Sequence, residues 1–423
     1  MKQNTTYKQT ELGLIPEDWE VKKLGECSSI SGDYGINAPA VKFSEDLPTY
    51  LRITDIDDDG NYSKENKVSV KDDNSESFIL DDEDIVFART GATVGKTYLH
   101  NKKENGDLVF AGFLIRFRTN FDILLPYYLK LYTNTDKYWN WVSVFSMRSG
   151  QPGINSKEYS NLKIPLPPLA EQKKIADCLS TWDSAIEKQN ALINALTDRK
   201  KALMQQLLTG KKRLPGFEGK WKEVKLGSIC ENFQNGNAFS AKDYKKTGIP
   251  IVTMGNINLG GYFYFSESKS NFWIEDKSLE RYEIKKGDLI IAMTDVTPEK
   301  NLIGLTSIID IDRIFYLNQR VGHIILKPKL ADTDFIFYLS QNSYWRNQCK
   351  AFATLGVQAN LGTNDIKNIN IKLPSLSEQT AIAAILATAD RELQLQKEKL
   401  AQLQTQKKGL MQVLLTGKKR LLN

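Results

Sequence analysis

The chain is written twice, and internal repetition constrains a fold before any other signal does. Trp19-Glu-Val-Lys-Lys-Leu24-Gly25 returns 202 residues later as Trp221-Lys-Glu-Val-Lys-Leu226-Gly227. Pro165-Leu-Pro-Pro-Leu169-Ala-Glu171-Gln172 returns as Lys372-Leu-Pro374-Ser-Leu376-Ser-Glu378-Gln379, and Leu207-Leu-Thr-Gly210-Lys-Lys-Arg213 as Leu414-Leu-Thr-Gly417-Lys-Lys-Arg420, both at an offset of 207. Between these anchors the offset drifts, as where Asp84-Ile-Val-Phe-Ala88 meets Asp288-Leu-Ile-Ile-Ala292 at 204. Each copy is thus a variable globular part followed by a fixed helix.

The helical part is sharply patterned. Ile175, Leu179, Trp182, Ile186, Gln189, Ile193, Leu196, Lys200, Leu203 and Leu207 alternate steps of four and three, the heptad seam of a coiled coil. Ile382, Leu386, Ala389, Leu393, Gln396, Leu400, Leu403, Lys407, Leu410 and Leu414 repeat it position by position. A proline before each helix, Glu171 or Glu378 in its first turn and Gly210 or Gly417 after it supply start and stop signals. A core-facing stripe explains one such helix, but two matching narrow seams favour mutual pairing.

Chain geometry selects the orientation. A helix of about 40 residues spans roughly 60 Å, whereas a globule of about 160 residues measures only some 30–35 Å. A parallel pairing would oblige the second globule to return the chain along the whole rod, so the helices are expected to run antiparallel with a globule at each end. With the crossing near 191 and 398, Lys407 is expected beside Trp182, its stem on the indole, and Lys200 beside Ala389. On that register, replacing Lys407 by leucine should raise stability and loosen the pairing.

The globular copies read as mixed α/β, giving an α+β chain overall. Runs such as Tyr50–Ile53, Asp84–Phe87, Phe113–Phe117, Ile249–Val252, Asp288–Ile291 and Gly322–Leu326 look like strands, while Tyr127–Trp141 and Phe335–Trp345 have helical spacing. Of 423 residues 41% are hydrophobic and 26% charged, as in an ordered, non-membrane protein. No stretch approaches the roughly 18 apolar residues a bilayer span needs, which points to the cytoplasm. Residues 1–84 hold 9 Lys/Arg against 20 Asp/Glu and residues 85–165 hold 11 against 5. One globule built from both would be two-faced, compatible with nucleic acid on its basic side; an ordinary solvated surface is the plainer account.

Catalysis and metal binding have little material. The four cysteines, at 27, 178, 230 and 349, lack a CxxC spacing, and His100 and His323 are the only histidines. Arg89-Thr-Gly91-Ala-Thr-Val-Gly95-Lys96-Thr97 falls one residue short of a phosphate loop. Asp55-Ile-Asp57-Asp58-Asp59-Gly60 begins like a calcium loop, but its twelfth position is Asn66. Glu283-Ile-Lys285 has only Asp276, seven residues earlier, for a nuclease centre. No cofactor is expected in this chain, and these absences favour a binding protein.

With repeat, seam and motifs together, the sequence resembles the DNA-specificity subunit of type I restriction–modification systems. The resemblance spans nearly the whole chain: Gly13-Leu-Ile-Pro16-Glu-Asp-Trp19 and Leu214-Pro-Gly-Phe-Glu-Gly-Lys-Trp221, the Pro-Leu-Pro-Pro-Leu-Ala-Glu-Gln helix start and the Leu-Leu-Thr-Gly-Lys helix end. It implies target-recognition domains at 1–165 and 214–372, each reading half of a split double-stranded DNA site. It implies conserved helices at 166–213 and 373–423 that serve as ruler and docking surface. It also implies two methyltransferase subunits carrying S-adenosylmethionine and nuclease-translocase subunits using ATP, with no catalytic residue in this chain.

The DNA-facing residues are expected in the basic half of each globule: Arg89, Lys96, Arg116, Arg118, Arg148 and Gln151 in copy one, Lys300, Arg320, Gln358 and Asn360 in copy two. Lysines would anchor phosphates, while Arg, Gln and Asn would read base edges. Gln151 and Gln358 align at 207 within Ser149-Gly-Gln-Pro-Gly-Ile-Asn155 and Gly356-Val-Gln-Ala-Asn-Leu-Gly362. Those loops could equally be turns capping the following strand. A different class of function also fits: a two-headed coiled-coil tether that binds proteins, its basic clusters merely solvated.

Overall fold

A computed structural model of the chain describes residues 6–147, 151–297, 299–353 and 359–421. The chain is α+β and divides into two units, Met1–Asn190 with Glu398–Asn423, and Ala191–Lys397. Two 39-residue helices, α1 (Leu169–Leu207) and α2 (Leu376–Leu414), each give one half to each unit. Among the described residues no helix is long and apolar enough to cross a membrane.

In unit 1, β1 (Ser28–Tyr34), β2 (Ile85–Ala88), β3 (Thr97–Leu99) and β4 (Leu114–Thr119) form an antiparallel sheet in the order β1-β4-β2-β3. In unit 2, β5 (Cys230–Asn235), β6 (Leu289–Ala292), β7 (Thr306–Ile308) and β8 (Val321–Leu326) repeat it in the order β5-β8-β6-β7. A second four-stranded sheet in each unit holds one parallel pair, Leu108–Phe110 beside Thr49–Leu51 and Phe315–Leu317 beside Ile249–Val252. Finally, Glu20–Lys23 pairs with Lys163–Leu166, and Lys222–Lys225 with Asn370–Leu373, so each globule's first residues lie beside the entry to its helix. The expected helical stretches are each two helices, Pro126–Tyr132 with Asp136–Phe145 and Thr333–Ser340 with Ser343–Phe352. Thr135 and Asn342 cap the second of each pair, and a capping side chain satisfies a backbone N–H that no carbonyl of its own helix reaches.

The repeated Glu-Gln at each helix start has a structural reason. Gln172 accepts from the Leu125 N–H at 2.9 Å and donates to the carbonyls of Ile123 and Pro167, each at 2.9 Å. Gln379 does the same with Asp332, Leu330 and Pro374. Both are fully buried, so each fastens a helix to its globule by replacing three water bonds with three protein ones. Gly210 and Gly417 end the helical run with φ of 70° and 72°, which glycine adopts without strain.

The long helices run antiparallel within each unit. In unit 1 Asp183 meets Lys407 and Glu171 meets Arg420; in unit 2 Lys200 meets Asp390 and Arg213 meets Glu378. One number falls as the other rises. The register lies one residue from expectation, and this changes the chemistry: Lys407 pairs with Asp183 and no Lys407–Trp182 cation–π contact occurs among the described residues. Asp183 also accepts from the Tyr127 hydroxyl at 2.5 Å, and burial raises that phenol so that it stays a donor. Lys200 pairs with Asp390 and lies 5.5 Å from the Tyr262 ring, so the cation–π contact belongs to it instead. The seam lysines are therefore neutralised across the helix pair. Lys407→Leu should consequently lower stability, by about 1 kcal/mol because Asp183 is partly hydrated, rather than raise it. Urea unfolding checks the sign, and a gain in stability would mean that the Lys407–Asp183 pair does not hold the seam.

Candidate nucleic-acid interface

At one end of each four-stranded sheet three loops converge and are tied by the same backbone bonds. In unit 1 the Gly35 N–H reaches the Leu114 carbonyl at 3.2 Å, Ile36 reaches Phe110 at 3.0 Å, Gly112 reaches Ile36 at 2.8 Å and Arg89 reaches Phe113 at 3.0 Å. In unit 2 Gly236 reaches Val321 at 3.3 Å, Asn237 reaches Leu317 at 2.8 Å, Gln319 reaches Asn237 at 2.9 Å and Met293 reaches Arg320 at 3.0 Å. A fourth segment joins each cluster, with Ile154 bonded to the Arg89 carbonyl at 2.9 Å and Leu361 to that of Met293 at 2.8 Å. Glycine is required at the crossing. A Cβ on Gly35 would stand 2.3 Å from the Ala111 carbonyl oxygen, and one on Gly236 would stand 2.2 Å from that of Asn318.

The shared backbone carries different side chains. Equivalent positions pair Tyr34 with Asn235, Ile36 with Asn237, Arg89 with Met293, Gly112 with Gln319, Phe113 with Arg320 and Gly153 with Asn360. In unit 1 the Arg89 guanidinium stacks 4.7 Å from the Tyr34 ring centroid, and its buried Nε has no hydrogen-bond partner among the described residues. Gln151 is exposed, its amide nitrogen 3.2 Å from where a Cβ on Gly91 would stand. In unit 2 Gln319, Arg320 and Asn360 are all exposed. Asp295, opposite Gly91 in the repeat, is pushed up by burial yet held below the usual carboxylate range by the N–H groups of Thr297 and Leu302. It thereby fixes the loop that carries Lys300, whose φ of 51° is left-handed. Arg346 donates to the carbonyls of Ile303 and Asn301 in that loop.

Of the residues expected to face DNA, the structure brings Arg89 and Gln151 together in one cluster and Arg320 and Asn360 in the other; Lys300 lies on the braced loop beside the latter. Arg148 and Gln358 lie outside the described residues. The remaining three sit on the sheet or its hairpin, engaged with carboxylates of their own unit. Lys96 pairs with Asp58 at 2.6 Å, Arg116 with Asp33 at 2.9 Å, and Arg118 with Asp84 at 2.7 Å and Asp81 at 2.5 Å. Arg118 is held above its ordinary pKa by the hydrogen bonds it donates to Asp84. The two-faced globule expected from charge counts is corrected here, because β4 lies between β1 and β2 and sets basic side chains against acidic ones. The run before Gly60 is a turn in which Arg52 holds Asp55, while Asp57 accepts from the N–H groups of Asp59 and Asn61. After Gln151 the chain enters a short helix, Ser156–Ser160, capped by Asn155, and not a strand.

Sequence reasoning passed over Tyr34, Phe113, Asn235, Asn237 and Gln319. The signal that could have found them is the glycine shared by Tyr34-Gly35-Ile36 and Asn235-Gly236-Asn237 at an offset of 201, a mark of close backbone approach.

The family model described as type I restriction modification DNA specificity domain matches this chain twice, at residues 16–198 and 218–405. Among curated relatives, the type I restriction enzyme MjaVIII specificity subunit of Methanocaldococcus jannaschii is 29% identical, over 97% of this chain and 95% of its own. The EcoKI specificity subunit of Escherichia coli K12 is 24% identical over 88% of this chain and 82% of its own. Among solved structures, a chain from a study of complex assembly and conformational transition of the type I R-M system aligns with a TM-score of 0.59 at 18% identity, covering 96% of this chain and 99% of that one. The type I restriction-modification S subunit from M. genitalium aligns at 0.55 and 15% identity, covering 94% and 96%. These likenesses carry the fold, and the doubled family match, which reproduces the internal repeat, carries the assignment: the chain belongs to the type I restriction modification DNA specificity family, whose members are non-catalytic specificity subunits.

Proposed function

We propose that this subunit reads a bipartite double-stranded DNA target, one half-site with the loop cluster of each unit, while the paired long helices set the unread gap and dock methyltransferase subunits. The observation that carries the reading is the duplicated cluster: one backbone scaffold presented twice, with different exposed side chains on it. Two copies of one frame with different polar groups suit two different short sequences, since base edges are told apart by donor and acceptor pattern. In this reading Arg89, Gln151, Arg320 and Asn360 face bases, and Lys300 faces phosphate. Arg148 and Gln358 belong to the same two loops by sequence. Lys96, Arg116 and Arg118 serve the scaffold. Two methyltransferase subunits, joined by nuclease-translocase subunits, complete a cytoplasmic complex.

The test is modular exchange. Residues 26–160 are replaced by those of a relative, the chimera is expressed with the partner methyltransferase, and methylated positions are mapped across a genome. One half of the target should change while the other half and the gap persist. Changes in both halves would contradict independent reading. If the wild-type complex binds no duplex selectively, the reading gives way to a protein-binding tether.

A further inference from the structure

We infer that the position preceding β4 and β8, Phe113 in unit 1 and Arg320 in unit 2, determines specificity, with Arg320 reading a guanine that the other half-site has no guanidinium at this position to read. The inference rests on the DNA reading above and adds the base and the residue. The two positions are equivalent by backbone: each carbonyl accepts the N–H that follows β2 or β6, Arg89 at 3.0 Å and Met293 at 3.0 Å. Their side chains therefore start from the same place on the same frame, and both are exposed, Phe113 by 56%.

The surroundings differ in kind. Arg320 follows Gln319, and its cluster carries the amides of Asn235, Asn237 and Asn360. Its own N–H is held by the Asn318 side chain at 3.1 Å. Unlike Arg116 and Arg118, which are bound to carboxylates, Arg320 makes no ion pair among the described residues. A guanidinium with two parallel donors matches guanine O6 and N7, and amides match adenine N6 and N7. Phe113 has no polar atom. It offers a ring to a thymine methyl or a base step, beside Tyr34, whose ring is already covered by Arg89. At this one position unit 2 thus reads by hydrogen bonds where unit 1 reads by apolar contact.

The experiment uses the full subunit with its methyltransferase partner and a target duplex taken from the methylation map. Arg320→Ala should lose discrimination at one guanine of one half-site, by about ten- to a hundredfold, with the other half-site and the thermal transition unchanged. With wild-type protein, 7-deazaguanine at that position, which lacks the N7 acceptor, should weaken binding about tenfold and should not weaken Arg320→Ala further. Phe113→Arg should add a guanine preference in the opposite half-site. The inference is overturned if Arg320→Ala keeps its full target, if it weakens all sequences equally, as a phosphate contact would, or if 7-deazaguanine costs nothing. A wild-type complex that selects no duplex would instead remove the DNA reading beneath it.

Discussion

Arg118→Ala is expected to destabilise unit 1 by about 3–5 kcal/mol, because it strands a carboxylate that has no access to water. Asp84 is fully buried and takes the Arg118 Nε at 2.7 Å and a terminal nitrogen at 2.9 Å. Its other partners are the Asp81 N–H at 2.9 Å and an Arg116 nitrogen at 3.8 Å, too distant for a hydrogen bond. Chemical denaturation of the variant should show an early loss of unit 1, and replacing Arg118 and Asp84 together by leucine should recover most of it. The same variant separates scaffold from interface. While folded, it should keep the wild-type salt dependence of DNA binding. A stable Arg118→Ala protein whose salt slope falls by about one unit would return Arg118 to the DNA surface.

What the sequence made legible was local or repeated. The seam from Ile175 to Leu207 declares its helix because heptad period depends on spacing alone, and the repeat located both copies without any contact being known. Antiparallel order followed from chain length. The pairing chemistry was less accessible: a shift of one residue gave Lys407 to Asp183 and left Trp182 without it, since a rod-length estimate does not resolve single residues. Charge was misleading for a similar reason. Arg116 lies opposite Asp33 in the β4–β1 register, a neighbour fixed by strand order and invisible to counts along the chain. The candidate interface was half legible. Arg89 and Arg320 stood out as cations, but Phe113 was only the first residue of a strand-like run and nothing along the chain marks Tyr34 itself. Only the sheet topology brings them to an exposed end.

Arg420→Ala should cost about 3–5 kcal/mol, again confined to unit 1, and Arg213→Ala should lower the stability of unit 2. Arg420 donates to Glu171 at 3.0 and 2.6 Å and to Asp18 at 2.8 and 2.7 Å, and the Trp19 indole N–H also reaches Glu171 at 3.0 Å. Arg213 binds Glu378 at 2.7 and 2.8 Å, with the Trp221 indole at 3.2 Å. Both glutamates are buried, at 5% and 1% exposure, so the helix dipole and one indole would be left to hold an ion that a bidentate guanidinium now neutralises. Lysine should rescue only part of the loss, because a point charge cannot satisfy both oxygens in plane. Since the end of one long helix is thereby locked to the start of the other, hydrogen exchange should localise the damage. In Arg420→Ala the Glu20–Lys23 and Lys163–Leu166 strand pair should exchange faster, while Lys222–Lys225 and Asn370–Leu373 stay protected. Equal acceleration of both pairs, or a loss under 1 kcal/mol, would mean that the clasp is not what closes each unit.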